Sequence, residues 1–270
     1  MMRHGEPFKT GDGTCLNVDT SGEGTPVVFQ HGLCGDAGQT SEAFPLGNGF
    51  RRVTVEARGH GRSEPGDLAR LSIATFTDDL ALYIMNHLTA PVVVGGISMG
   101  AAIALRLAVT HPDLVKALIL ARPAWVINAA PANMAPNAEV GRLLKTMPAE
   151  KAKATFLAGE TSQRLALEAP DNLASLSGFF TRQPHDVTAA LLTAISDDGP
   201  GVRQADLGNL RVPTLVIGHE EDVVHPLAHA QALASMIHGA RLAQITPKTV
   251  SRTQYIADFH LAIGNFLKEL

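Results

Sequence analysis

Val92-Val93-Val94-Gly95-Gly96-Ile97-Ser98-Met99-Gly100-Ala101-Ala102-Ile103 is the stretch on which the reading of this chain turns. A β-branched run gives way to Gly96-Ile97-Ser98-Met99-Gly100, which fits G-x-S-x-G, and then to Ala/Leu-rich sequence. The bare pattern is weak, but strand before and helix after are the context a nucleophile elbow requires. The reason is steric. The serine must sit on a strained strand-to-helix turn, and glycine at both flanks lets the backbone pass close by. Ser98 Oγ is then expected at the strand's end. The Met99 N–H is expected at a helix N-terminus, where partial positive charge can stabilise an oxyanion.

The flanking sequence repeats this grammar. Short Val/Ile/Leu-rich runs predict strands over 25–30, 52–56, 92–95, 115–120, 213–218 and 241–245. Continuous rather than alternating apolar runs indicate strands covered on both faces. Helices are expected over 72–88 with Ser72 as N-cap, 99–110, 227–237 after Pro226, and 254–267. Alternating β and α elements imply a parallel sheet with right-handed crossovers. Residues 123–198 break the alternation. They hold no convincing strand and read as short helices punctuated by Pro131, Pro136, Pro148, Pro170 and Pro184. The expected division is a core of 1–122 and 199–270 and a helical lid of 123–198 over the C-terminal edge of the sheet. Trp125 at the lid's root is a candidate substrate contact. Phe179 and Phe180 either glue the lid to the body or face the substrate.

Composition bounds the function. The chain has 270 residues, 45% of them hydrophobic and 18% charged, with a net charge of -4. That supports one or two domains with a large core and excludes global disorder. A basic footprint for nucleic acid is absent. Two cysteines, Cys15 and Cys34, make no disulfide framework. The opening residues, Met1 to Pro7, lack the apolar core of a signal peptide. The most apolar stretch, 91–109, is broken by Gly95-Gly96, Ser98 and Arg106, and falls short of the ~20 residues that span a bilayer. A cytoplasmic protein acting on a small molecule is expected, without nucleic acid, membrane, cofactor or metal. The histidines are scattered, and His225 and His229 share a helix face only if Pro226 allows it. Monomer and homodimer are both open, because the stripe Ile256, Phe259, Ile263, Phe266 and Leu267 on the last helix suits sheet packing as well as dimerisation.

These landmarks together resemble the α/β-hydrolase superfamily. They are His31-Gly32-Leu33 after the first core strand, Arg58-Gly59-His60-Gly61-Arg62-Ser63 after the next, the elbow, the helical insertion, and Gly218…Asp222…Pro226. The resemblance covers almost the whole length. It implies a mostly parallel eight-stranded sheet flanked by helices. It also implies Ser98 as nucleophile, Leu33 and Met99 as oxyanion-hole N–H donors, and Asp222 as the acid that orients an imidazole. Glu220 and Glu221 are rivals for the acid. Serine at the elbow argues against the superfamily's dehalogenases and epoxide hydrolases, which resemble this chain but use aspartate there. His31, Asp36 and Gln39, beside the oxyanion segment, could bind substrate or hold the loop by Asx-type bonds. Cys34 could be a reactive thiol or a buried small hydrophobe.

One landmark is missing. The family's histidine follows the last strand as a Gly-His pair, but residues 245–253 contain no histidine. Without a base, serine is a poor nucleophile near neutral pH. His225, three residues after Asp222, is the leading substitute. Lys248, which occupies the vacated region, could serve as base or substrate contact; His260 on the last helix and His185 in the lid are further alternatives. The expected activity is hydrolysis of a small carboxylic ester, thioester or lactone through an acyl-enzyme on Ser98. A C–C hydrolase or lyase, and a non-catalytic ligand-binding protein, are the alternatives on the same scaffold.

Overall fold

Apolar side chains on both faces of the same strands decide the architecture. The computed structural model describes residues 3–4, 7–47 and 49–270; Met1, Met2, Gly5 and Glu6, on which the leader reading partly rests, lie outside the described residues. The strands are β1 (Arg3–His4), β2 (Phe8–Lys9), β3 (Cys15–Leu16), β4 (Val18–Gly22), β5 (Thr25–Gln30), β6 (Phe50–Val55), β7 (Val92–Ile97), β8 (Val115–Ala121), β9 (Thr214–Gly218) and β10 (Arg241–Gln244). Eight of them form one sheet in the order β1-β4-β6-β5-β7-β8-β9-β10, and β2 pairs with β3. In the large sheet β1–β4 and β4–β6 are antiparallel and the remaining pairs parallel.

The helices are α1 (Ala37–Ala43), α2 (Ile73–His87), α3 (Met99–Thr110), α4 (Ala135–Thr146), α5 (Ala149–Ala158), α6 (Glu160–Glu168), α7 (Pro170–Phe179), α8 (His185–Ser196), α9 (Gln204–Asn209), α10 (Leu227–Met236) and α11 (Arg252–Lys268). Side chains alternate across the sheet. Val28, Val94 and Leu120 pack with Phe76, Ile103 and Leu233 of α2, α3 and α10. Val27, Phe29 and Ile119 pack on the other face with Phe44 after α1 and with Phe259 and Ile263 of α11. The apolar stripe of the last helix is therefore used against the sheet. Ser72 caps α2 as expected, its side chain accepting from the Thr75 N–H. Among the described residues no helix is long and apolar enough to cross a membrane.

Between β8 and β9 the chain runs through α4 to α9 without a strand, α4 to α8 falling in the insertion. The two ends of this insertion are tied together, since Trp125 Nε1 donates to the Asp198 carbonyl at 2.9 Å. Asn133 Nδ2 adds a clamp, donating to the Ala124 and Val224 carbonyls at 2.9 and 2.7 Å. Phe180 is buried against Phe156, with ring centroids 5.6 Å apart, and acts as glue within the insertion.

The elbow depends on its glycines. A Cβ on Gly96 would lie 2.6 Å from the Gly100 carbonyl carbon and 2.7 Å from the Gln30 carbonyl oxygen, both backbone atoms. Backbone in a packed interior yields little. Gly96→Ala is expected to cost about 1–3 kcal/mol. Urea denaturation would read this as a lowered midpoint at unchanged slope; an unmoved midpoint would mean that the elbow is not tightly packed.

Candidate active site

Ser98 sits between β7 and α3 at φ +57°, the left-handed region that only glycine adopts freely. The turn is locked by the Ser98 N–H, which donates to the Ala121 carbonyl of β8 at 2.9 Å, and by the Ala101 N–H, which donates to the Ser98 carbonyl at 3.0 Å. Strain of this kind costs of order 1–3 kcal/mol and persists where the surroundings over-determine it.

The loop after β9 brings two more groups to this point. Asp222 Oδ1 accepts the His225 backbone N–H at 2.9 Å, closing a tight turn before Pro226 and α10. The same carboxylate receives the ring, with His225 Nδ1 at 3.0 Å from Oδ1 and 2.9 Å from Oδ2. His225 Nε2 then lies 2.8 Å from Ser98 Oγ. An ionised carboxylate facing Nδ1 from both oxygens requires Nδ1 to carry the proton. Nε2 is thus the acceptor, aimed at the Ser98 hydroxyl. A nucleophile, a base and an orienting carboxylate need this geometry.

Electrostatics favour the same protonation states. Burial pushes the His225 imidazole below its ordinary value, only partly opposed by Asp222, so the ring rests neutral. Burial alone would raise the Asp222 carboxyl. The charge of Arg122 and the hydrogen bonds from His225 and Arg122 outweigh it and hold the group well below the usual carboxylate range.

Asp222 is gripped from every side, and here the structure adds residues that the sequence reading missed. Arg122, at φ +45° just after β8, donates to Asp222 Oδ2 from Nη2 at 2.6 Å and from Nε at 3.1 Å. Its Nη1 donates to the Tyr255 hydroxyl at 2.9 Å. Asn172 of α7 donates from Nδ2 to Asp222 Oδ1 at 2.9 Å, while its Oδ1 accepts the Val223 and Val224 N–H groups. One buried asparagine from the insertion thereby fixes both the carboxylate and its loop. His219 stands 3.6 Å from Asp222 Oδ2 through Nε2. Of these, only Arg122 left a trace in the sequence, as a cation ending a buried apolar run. Asn172 had no local signal.

On the other side of Ser98, the Leu33 and Met99 N–H groups make no hydrogen bond among the described residues. Met99 is the first residue of α3, where N–H groups have no intrahelical partner. The Leu33 segment is held by Gln39, whose Oε1 accepts the Gly32 N–H at 2.6 Å. Leu33, Gln39, Ser98, Arg122 and His225, with Met134, Asn137, Leu176, Phe179 and Val224, line a cavity of about 100 Å³. A space of that size admits a small molecule or one arm of a larger one.

Comparison with known proteins gives the arrangement a family. Residues 24–248 match the family described as serine aminopeptidase, S33. The chain belongs to that family, within the α/β-hydrolase superfamily. A Mycobacterium tuberculosis protein provisionally named non-heme bromoperoxidase BpoC is 30% identical over 242 residues, covering 85% of this chain and 88% of its own. Among solved structures, the esterase EaEST of Exiguobacterium antarcticum superposes with a TM-score of 0.68 at 23% identity, over 89% of this chain and 90% of its own. An enol-lactonase of Burkholderia xenovorans LB400 superposes with a TM-score of 0.70 at 23% identity, over 94% and 97%. These two likenesses show the shared fold.

Several candidate residues of this α/β hydrolase lie away from the cavity. Asp36 is exposed and caps α1, accepting the Gly38 N–H at 2.8 Å; it does not reach the substrate space. His31 is buried beneath the loop, its Nε2 accepting the Ala57 N–H at 3.0 Å and its Nδ1 donating to the Gly32 carbonyl at 2.8 Å. Both ring nitrogens are consumed, so it shapes the loop. Trp125 is buried at the root of the insertion and does not line the cavity. Lys248 lines an adjoining cavity of about 80 Å³ with Glu42, Tyr255 and Phe259, which shares Gln39 and Arg122 with the first but is not lined by Ser98 or His225. His260 Nε2 bonds the Glu42 carbonyl at 2.9 Å, and His185 pairs with Gln183 on the surface. Cys34 is half-buried, and burial pushes its thiol up to about 12, which suits a small hydrophobe rather than a nucleophile. Arg58 is locked between Asp79 and Asp12 at 2.7 Å from each, so the 58–63 stretch is a structural turn.

Proposed function

We propose that this α/β hydrolase cleaves a small carboxylic ester, thioester or lactone through an acyl-enzyme on Ser98, with His225 as base and Asp222 as its orienting acid. The observation that carries the reading is the 2.8 Å contact of His225 Nε2 with Ser98 Oγ, backed by Asp222 on Nδ1. Ser98 Oγ attacks the carbonyl as its proton passes to Nε2. The oxyanion is held by the Leu33 and Met99 N–H groups and by the N-terminal dipole of α3. The imidazolium then protonates the leaving alkoxide or thiolate. His225 next takes a proton from water as it attacks the acyl ester, then gives that proton to the departing Ser98 Oγ as the acid is released. The insertion serves as the lid that limits substrate size. The non-catalytic alternative rested on a missing base, and an imidazole on Ser98 removes that ground.

The test is intact mass after treatment with a fluorophosphonate. One adduct on wild type and on Lys248→Ala, with none on Ser98→Ala and slowed labelling of His225→Ala, is the expected pattern. Unlabelled, folded wild type would overturn the reading. The pH profile offers a further check. His225 works neutral, and its value in the folded enzyme lies below the ordinary 6.5. Activity should therefore persist through pH 6.5 and fall only as acid titrates the ring below it. An acid limb centred above 6.5 would contradict the buried, neutral base.

A further inference from the structure

The insertion offers two buried carboxamides to the cavity beside Ser98, Asn172 and Asn137. Asn172 is fully employed, as described. Asn137 is not. It lies in the first turn of α4, is 5% exposed, and its Oδ1 is buried with no partner. Its Nδ2 makes no hydrogen bond among the described residues either. Whichever way round the amide is set, neither end is bonded. A carboxamide brings two donors and two lone pairs. Leaving a carboxamide oxygen buried and unpaired is destabilising, a cost that an apolar side chain of the same shape avoids. The position therefore works against stability, and its place on the wall shared with Ser98 and His225 says what can complete it.

We propose that Asn137 is a specificity residue whose carboxamide hydrogen-bonds a hydroxyl or amide group carried by the substrate near its scissile carbonyl. The preferred substrates are then small hydroxy- or amide-bearing esters and lactones rather than plain alkanoyl ones. The other wall residues agree with this. Met134, Leu176, Phe179 and Val224 offer apolar contact, Gln39 has spent its Oε1 on the Gly32 N–H, and Ser175 is exposed. Arg122 is committed to Asp222 and Tyr255, so a substrate carboxylate has no unspent cation to meet. A buried polar group that hydrogen-bonds a substrate rejects analogues that lack its partner, because the group is then left unpaired.

The inference rests on Ser98 as nucleophile and deepens that reading. Its test compares kcat/KM for matched pairs: γ-butyrolactone with its α-hydroxy derivative, and methyl butyrate with methyl 3-hydroxybutyrate and methyl N-acetylglycinate. Wild type should prefer the hydrogen-bonding members about 10- to 100-fold. Asn137→Leu and Asn137→Ala should bring the ratio close to one. No preference in wild type, or a preference that survives in the variants, overturns the inference. Melting temperature gives a readout independent of turnover. Relieved of an orphan carboxamide, Asn137→Leu should melt no lower than wild type. A fall of more than about 3 °C would mean that Asn137 holds the fold, and would overturn the inference too. Failure of fluorophosphonate to label Ser98 overturns the nucleophile reading instead. The inference is then decided by ligand-observed NMR of the unreacted hydroxylated and plain lactones with wild type and Asn137→Leu, where equal binding overturns it.

Discussion

Replacing His225 with alanine is expected to lower kcat/KM for an activated ester about 10,000-fold, and Ser98→Ala to lower it at least as far. The two losses should not add, because nucleophile and base act as one unit and removing either disables both. Residual hydrolysis would come from the oxyanion donors of Leu33 and Met99, which neither change touches. Lys248→Ala and His260→Ala are the contrasting cases. Lys248 faces an adjoining cavity not lined by Ser98 or His225, and His260 is bonded to the Glu42 carbonyl, so each should stay within a few-fold of wild type. Steady-state kinetics with p-nitrophenyl acetate would check all four. If His225→Ala stays within ten-fold of wild type while Lys248→Ala collapses, the base comes from the loop after β10 and the 2.8 Å contact is incidental.

The fold was legible because its main strands are buried on both faces, so their residues could be apolar without interruption. The runs that became β5, β7, β8 and β9 carry little else. β4 was not legible, for a physical reason. Val18-Asp19-Thr20-Ser21-Gly22 reads as polar, yet it pairs with β6 because Asp19 meets the fully buried Arg52 across the strands at 2.6 Å. An ion pair made by residues far apart in sequence leaves no local periodicity. β1 to β3 are two residues each, too short for any pattern.

The site divides along the same line. The candidates Ser98, Asp222 and His225 are brought together by local turns, the strained elbow and the Asp222–His225 turn, so the G-x-S-x-G motif, the family resemblance and the short Asp222–His225 separation left a trace in the sequence. His31, Asp36 and Trp125 also stood at suggestive positions, but the three-dimensional accounting of their hydrogen bonds spends them on the Gly32 loop, the start of α1 and the Trp125–Asp198 tie. Arg122, Asn172 and Asn137 act across 50 to 100 residues or not at all within the chain, and spacing cannot report that.

The dual duty of Asp222 leads to the other large effect. Its carboxylate orients His225 and also neutralises Arg122, and the side chains are 1% and 17% exposed. Asp222→Asn keeps the shape but deletes the charge. The asparagine can present its amide nitrogen to the ring and favour the wrong tautomer, so kcat should fall about 10,000-fold. The guanidinium, meanwhile, is left buried without a counter-charge, and breaking a buried pair from one side costs about 3–5 kcal/mol. Catalysis and stability should then separate in the double variant. Adding Arg122→Met to Asp222→Asn removes the orphan cation and is expected to recover most of the lost stability in urea denaturation, while kcat stays at the single-variant level. Arg122→Met alone should do the converse. Asp222 keeps Asn172 and the His225 backbone N–H, so the triad geometry survives, but the nearest cation to the imidazole is gone. The ring should protonate more readily, and the acid limb of kcat/KM should move to higher pH. If the double variant is no more stable than Asp222→Asn, the stability of this loop does not come from the ion pair, and Arg122 is present only to tune the base.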